Sequence, residues 1–185
     1  MNYRRYYWRC HLLNVLGFET SQLAQAKIHP SCTVAATTYI NAKNGAIAIG
    51  EKSTLHPYAM LIANGGDISA GSGLSVNPYS VLYSGKAGLV IGENVRIAAH
   101  TVIIPENHNF DRLDTPIRFQ ERSSKGVTIG SDVWIGAGVK ILDGAIVGDG
   151  CVIGANSVVL GTIPPFSIAV GVPARVVRSR KVADR

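Results

Sequence analysis

The chain has 185 residues, 46% of them hydrophobic but only 7% aromatic, with 20 glycines and a net charge of +6. That length makes one ordinary domain able to bury a core, and no run approaches the roughly 18–20 apolar residues that span a bilayer. The charge is not a nucleic-acid footprint. Arg4, Arg5 and Arg9 sit at the start and Arg175, Arg178, Arg180, Lys181 and Arg185 at the end, while the ten basic residues between face eleven acidic ones, leaving neither a basic stripe nor a nucleic-acid motif.

Residues 1–27 follow none of the patterns seen later and are read as an N-terminal cap segment, partly helical. Their basic start, apolar patch and Ala24-Gln25-Ala26 mimic a secretory signal, but His11 and Asn14 interrupt the patch, so the segment is expected to stay on the mature protein. Tyr3, Tyr6, Tyr7 and Trp8 among arginines suit either a cap over an open end of the fold or peripheral contact with a membrane interface.

From Ile28 an aliphatic residue recurs every six positions, at Val34 and Ile40, then after a slip near Asn44-Gly45 at Ile49, Leu55 and Leu61. A further slip at Gly65-Gly66 leads to Ile68 and Leu74, and another at 84–88 to Ile91, Ile97 and Ile103. The period is cleanest at the end: Ile129, Ile135, Ile141, Val147, Ile153 and Val159, with Val133, Val139, Ala145, Cys151 or Ser157 four residues after each of the first five. Six is not close to a whole number of helical turns, and one long strand would be broken by a glycine every six residues. Short strands joined by bends satisfy the period, three closing a triangular coil of about 18 residues whose aliphatics point inward. The predicted fold is an all-β solenoid over residues 28–163, its ladder ending at Pro164-Pro165, with a tail at 164–185 that folds back along the prism. Cys32 and Cys151 fall in the small inward slot, and the three cysteines show no metal or disulfide spacing.

Residues 104–127 break the pattern. This polar excursion, with Pro105 and Pro116, leaves a rigid scaffold and returns to it, the usual place for function. His108 stands near its start.

The repeat, together with IGENVRIAAHTVIIPENH, VWIGAGV, VIGANSVV and IPPFSIAVGVPARVVR, resembles the left-handed β-helix hexapeptide-repeat acyltransferases, which include galactoside and maltose O-acetyltransferases. The likeness covers most of residues 28–181 and is strongest over 91–181. It implies a left-handed coil, where general crossover rules favour the right, and it implies cytoplasmic, trimeric, acetyl-CoA-dependent transfer of acetyl to a saccharide hydroxyl, as in polysaccharide biosynthesis. His108, seventeen residues after Ile91, corresponds to the catalytic histidine of that pattern. Imidazole suits a general base because its unperturbed pKa of about 6.5 leaves an accepting form at working pH.

By the same resemblance Asn77 holds the acceptor hydroxyl, Ala137 and Ala155 flank the pantetheine arm, the Ala137 N–H stabilises the oxyanion, and Arg175 and Arg178 meet the nucleotide phosphates. Trp134, outward in the repeat, flanks the acceptor or the cofactor, or fills a subunit contact. The carboxylates that bind the sugar in galactoside acetyltransferase have no counterpart at Ser84-Gly85-Lys86, and Leu160-Gly161 replaces a common Thr-Lys. Glu106, Asp111 and Asp114 are candidates to orient His108 or meet the acceptor. His100 reads as a surface group or a support to the site. His11, His29 and His56 have no linked spacing, so no metal site is expected. The alternatives are N-acetylation of an amino sugar, O-acetylation of an antibiotic, and a scaffold without activity.

Overall fold

The computed structural model describes residues 7–9 and 25–181. From Ala26 the chain winds as a parallel β-solenoid of three stacked sheets. The first face carries Thr33–Ala35, Thr54–Leu55, Ser75–Val76, Arg96–Ile97, Trp134–Ile135, Val152–Ile153 and Ser167–Val170. The second carries Tyr39–Asn44, Met60–Asn64, Val81–Tyr83, Val102–Ile104, Lys140–Leu142 and Val158–Val159. The third carries Ala26–Ile28, Ile47–Ile49, Ile68–Ala70, Leu89–Ile91, Val127–Ile129, Ile146–Val147 and Thr162–Ile163.

The period translates directly into the core. Ile129, Ile135, Ile141, Val147, Ile153 and Val159 are all buried, as are Val133, Val139, Ala145 and Cys151 in the slot four residues on. Each fully buried aliphatic contributes about 1.5–3 kcal/mol. Where the slot holds a hydroxyl, the backbone of a neighbouring coil satisfies it. Ser80 donates to the Ala98 carbonyl at 2.9 Å, Thr101 donates to that of Gly136 at 3.1 Å, and Ser157 accepts the Gly171 N–H at 3.0 Å. No buried side-chain N or O among the described residues lacks a partner.

In the third coil the register differs from the reading of Ile68 and Leu74 as the repeat positions. Ala70 pairs with Ile49 and Ile91, Val76 with Leu55 and Ile97, and Leu82 with Leu61 and Ile103. Ile68 is buried two residues earlier on the same strand, and Leu74 fills the slot after Ala70. Alternation along a strand puts residues i and i+2 on one side, and the larger Ile68 hid the small alanine that keeps the phase.

The slips have one location. Ile28, Ile49, Ala70 and Ile91 are register partners 21 residues apart, whereas Ile129 and Val147 are 18 apart. The three additional residues lie between the second and third faces, at 44–46, 65–67 and 86–88. In the fourth coil the excursion leaves from this same corner, between Val102–Ile104 and Val127–Ile129. The corner between the first and second faces stays regular through every coil.

The first face continues past Pro164-Pro165, with Ser167–Val170 parallel to Val152–Ile153. The prolines occupy a corner, where no ladder donor is needed. The tail then doubles back, Arg175–Ser179 pairing antiparallel with Ser167–Val170. At the other end Tyr7–Arg9 pairs antiparallel with Thr33–Ala35, so both ends of this sheet are covered by a reversed strand. At residues 7–9 the chain is a strand; the rest of the expected partly helical cap lies outside the described residues. No helix among the described residues is long and apolar enough to cross a membrane.

Candidate active site

The excursion opens as a hairpin: Asn107–His108 pairs antiparallel with Arg122–Ser123, placing His108 opposite Arg122. Asp143, on the next coil, ties its two feet together. One carboxylate oxygen accepts the Asn107 amide at 3.2 Å, and the other accepts the backbone N–H groups of Lys125 and Gly126 at 2.6 and 3.0 Å. Sequence reading passed over Asp143; its signal was an Asp-Gly corner at Asp143-Gly144, where a side chain readily caps backbone donors.

His108 is exposed in the single chain, and no hydrogen bond or ion pair holds its ring among the described residues. Beside it Arg122 donates to Glu106 at 3.1 Å, with the Glu106 side chain only 19% exposed. Glu106 and Arg122 thus form a pair at the foot of the hairpin, with His108 opposite Arg122 in its register. Asp114 is not part of it. It holds Arg112 through two contacts of 3.0 and 3.2 Å, and the guanidinium keeps its carboxyl below the usual range. Between the hairpin and the stacked turns beneath lies a cleft of about 410 Å³, lined by Asn64, Lys86, Glu106, Gln120 and Arg122.

The other candidates gather elsewhere. Asn77, Ala137 and Ala155 all lie on the regular corner between the first and second faces. Asn156 N–H donates to the Ala137 carbonyl at 2.8 Å and Gly138 N–H to that of Ala99 at 2.9 Å, which stacks the turns in a column. Ala137 and Ala155 are exposed, and neither N–H is used by another described residue. Small side chains and free donors suit an extended, amide-containing chain laid along the corner. Asn77 commits its amide N–H to the Ile97 carbonyl at 2.9 Å, leaving its carbonyl oxygen available.

Trp134 is 57% exposed on the first face. It runs in register with Val152, then Ile168, then Arg178, and with Arg180 these line a groove of about 600 Å³. Arg180 is fixed by the Gly150 carbonyl at 2.6 Å and Asp132 at 3.3 Å. Arg175 pairs with Val170 at the end of this strand, next to the regular corner. Ala137, Ala155 and Arg175 thus lie at the regular corner, while Trp134 and Arg178 lie back along the first face, toward Asp132 and Gly150 on its other corner. The structure does not bring Asn77 to His108: in one chain the second face separates the two corners.

Three groups of His, Cys, Asp or Glu placed to share a metal ion do not occur among the described residues. His56 is partly buried, and desolvation together with the nearby Arg96 charge lowers its pKa. Burial raises that of the Cys151 thiol, which donates to the Pro164 carbonyl at 3.0 Å, as expected of a core cysteine.

This fold and repeat define a class, the hexapeptide-repeat β-solenoids. Residues 126–161 match the family described as bacterial transferase hexapeptide (six repeats). A probable acetyltransferase of Mycobacterium tuberculosis is 35% identical over 93 residues, covering 50% of this chain and 31% of that protein. The galactoside O-acetyltransferase of Escherichia coli is 32% identical over 100 residues, covering 51% and 46%. The chain thus spans less than half the length of the curated relatives it matches. Among solved structures, the N-acyltransferase AntD of Bacillus cereus, in complex with dTDP and 3-hydroxybutyryl-CoA, superposes with a TM-score of 0.75 at 21% identity, covering 98% of this chain and 92% of that one. The chain is a β-solenoid that carries hexapeptide repeats, and the proteins it is similar to are acyltransferases.

Proposed function

We propose that the protein is an acetyl-CoA-dependent O-acetyltransferase acting on a saccharide hydroxyl, with His108 as general base. The observation that carries this reading is the excursion itself. A repeat that runs without other large interruption opens at one corner to present an exposed histidine whose register partner, Arg122, lines a polar cleft. Acetyl-CoA would lie along the regular corner, its arm against Ala137 and Ala155 and its phosphates near Arg175 and Arg178, where guanidinium groups make charge-assisted bonds. The acceptor would occupy the cleft lined by Lys86, Glu106 and Arg122.

His108 takes the acceptor's hydroxyl proton as the oxygen attacks the thioester carbonyl. The free N–H of Ala137 meets the oxyanion, a contact typically worth about 3 kcal/mol. Collapse forms the acetyl ester, and the CoA thiolate leaves and is protonated from the imidazolium. No acyl-enzyme is formed.

The two corners must come from neighbouring copies, because one chain keeps them apart. Outward residues of the second face support such packing. Met60, Ile62, Val81, Tyr83, Val102, Ile104 and Leu142 form apolar rows that are only half-buried in the single chain. Phe110, Leu113, Ile117 and Phe119 on the excursion are more than half exposed, a surface that monomers rarely leave to water. A homotrimer, with each excursion reaching the regular corner of the next copy, covers both.

The test is acetyl-CoA with a panel of sugars, amino sugars and hydroxylated antibiotics, following thiol release and product mass. Acetylation of a saccharide hydroxyl supports the reading. Acetylation confined to amines moves the chemistry to N-acetyl transfer. Absence of thiol release with every acceptor overturns the enzymatic reading in favour of a scaffold.

A further inference from the structure

The outward column of the first face carries an arginine without a counter-ion. Val76, Ile97 and Ile135 belong to the core, so the residues before them, Ser75, Arg96 and Trp134, face outward, in register on successive coils. Thr54 lies below Ser75 and Val152 above Trp134, so no carboxylate stands in line with Arg96. Arg112, Arg122 and Arg180 each hold an acidic partner. Arg96 is exposed and enters no ion pair among the described residues.

Its surroundings are more built than those of an ordinary surface arginine. Ser75 faces outward yet is only 7% exposed, so side chains of the flanking coils lie over it. One of them is His56, whose Nε2 is 3.5 Å from the Ser75 Oγ. Burial lowers the His56 pKa, and the charge of Arg96 lowers it further. His56 is therefore neutral at pH 7, and the cluster carries one positive charge. On the other side of Arg96 stands Trp134, 57% exposed, an apolar surface beside a cation. Asn77 adjoins them: its amide donates at 2.9 Å to the carbonyl of Ile97, the residue after Arg96.

We propose that Arg96 selects the acceptor, by binding the carboxylate of an acidic saccharide whose ring lies against Trp134. This rests on the reading of Asn77 as the residue that meets the acceptor, so Arg96 acts from the copy that supplies the regular corner. A guanidinium offers a carboxylate two parallel N–H donors, and the indole offers the sugar ring an apolar face. One positive charge matches one carboxylate. A phosphate monoester carries about −1.5 to −2 at pH 7, and the cluster has no second cation to meet it. Arg96 binds a part of the acceptor that does not react, so its contribution belongs in KM and not in kcat.

Thiol release from acetyl-CoA by the full chain tests this with three methyl glycosides: a uronate, the neutral hexose of the same configuration, and that hexose as its 6-phosphate. Wild-type protein should favour the uronate. Arg96→Gln should raise the uronate KM about 10- to 100-fold with kcat little changed, and should leave the neutral sugar within about twofold. Arg96→Lys keeps the charge without the fork, and should lose about three- to tenfold with the uronate alone. That variant carries the test if Arg96→Gln fails to fold. A loss shared equally by all three sugars, no loss with any, or a preference for the phosphate would overturn the assignment and leave the transferase reading intact. Release with none of the three overturns the acidic-saccharide assignment, and release with no acceptor of any class overturns the transferase reading as well.

Discussion

The two corners that flank the second face are built from the same repeat and have diverged in opposite ways. Between the first and second faces every turn has four residues and the same left-handed position, from Tyr58 to Asn156. At Ala137 and Ala155 this sets small residues with free N–H groups one above the other. Between the second and third faces no such column persists: 44–46, 65–67 and 86–88 add three residues each, and the next turn swells into the excursion. A corner kept in register provides repetition, which suits a long ligand. A corner released from register provides a place for side chains that occur once, such as His108 and Arg122. The prism between them separates the tasks.

Removing the unique side chain should have the largest effect. His108→Ala is expected to lower turnover by about 10²- to 10⁴-fold with acetyl-CoA affinity and melting temperature unchanged, since the ring is exposed and unattached. Steady-state thiol release beside a thermal melt checks both halves. The prism should answer the opposite way. Ile135→Ala, at a position with no exposed area, should cost about 2–5 kcal/mol in denaturant unfolding.

A pair of glycines divides the corners more finely. A Cβ on Gly136, in the regular corner, would lie 2.7 Å from the Ala155 nitrogen and 2.8 Å from the Ile153 carbonyl oxygen, whereas at Gly161, in the irregular corner, nothing lies within 4 Å. Gly136→Ala should therefore destabilise by about 1–3 kcal/mol by prying coils apart. Gly161→Ala should be neutral or stabilising by up to about 1 kcal/mol, through the less flexible unfolded chain. Equal effects at the two sites would break the contrast.

The smallest effect is on pH. The His56 pKa is lowered from 6.5 by burial and then by Arg96. The unfolded chain therefore binds the proton more readily. The stability this group contributes is complete above about pH 6.5 and is lost as pH falls through the folded-state value. His56→Gln should flatten the acid side of a melting-temperature profile slightly, with no change above neutrality.

The inward aliphatics were legible in the sequence because their period has one physical solution, and the burial of Cys32 and Cys151 followed from the same phase. Ala70 was not legible as a repeat position: a methyl group beside Ile68 carries too little hydrophobic signal to set a register. Pro164-Pro165 read as a stop because proline cannot donate to a ladder, but a corner makes no such demand. His108 was singled out through its interval from Ile91 and its place in the interruption, and the structure puts it on the excursion hairpin. The separation of Asn77 from His108 was hidden, since distance along a solenoid chain says nothing about which corner a residue occupies.

In the proposed enzyme one site is assembled from the irregular corner of one copy and the regular corner of another. Mixed oligomers test it most directly. Chains carrying His108→Ala and chains carrying Ala155→Trp, each inactive alone, would be co-expressed and their acetyl-CoA turnover measured. Random assembly of a shared site restores two intact corners at about a quarter of the positions, so activity should return to about that fraction of wild type. If both corners served the same site within one chain, every site would keep one defect, and the mixture would remain as inactive as its parents.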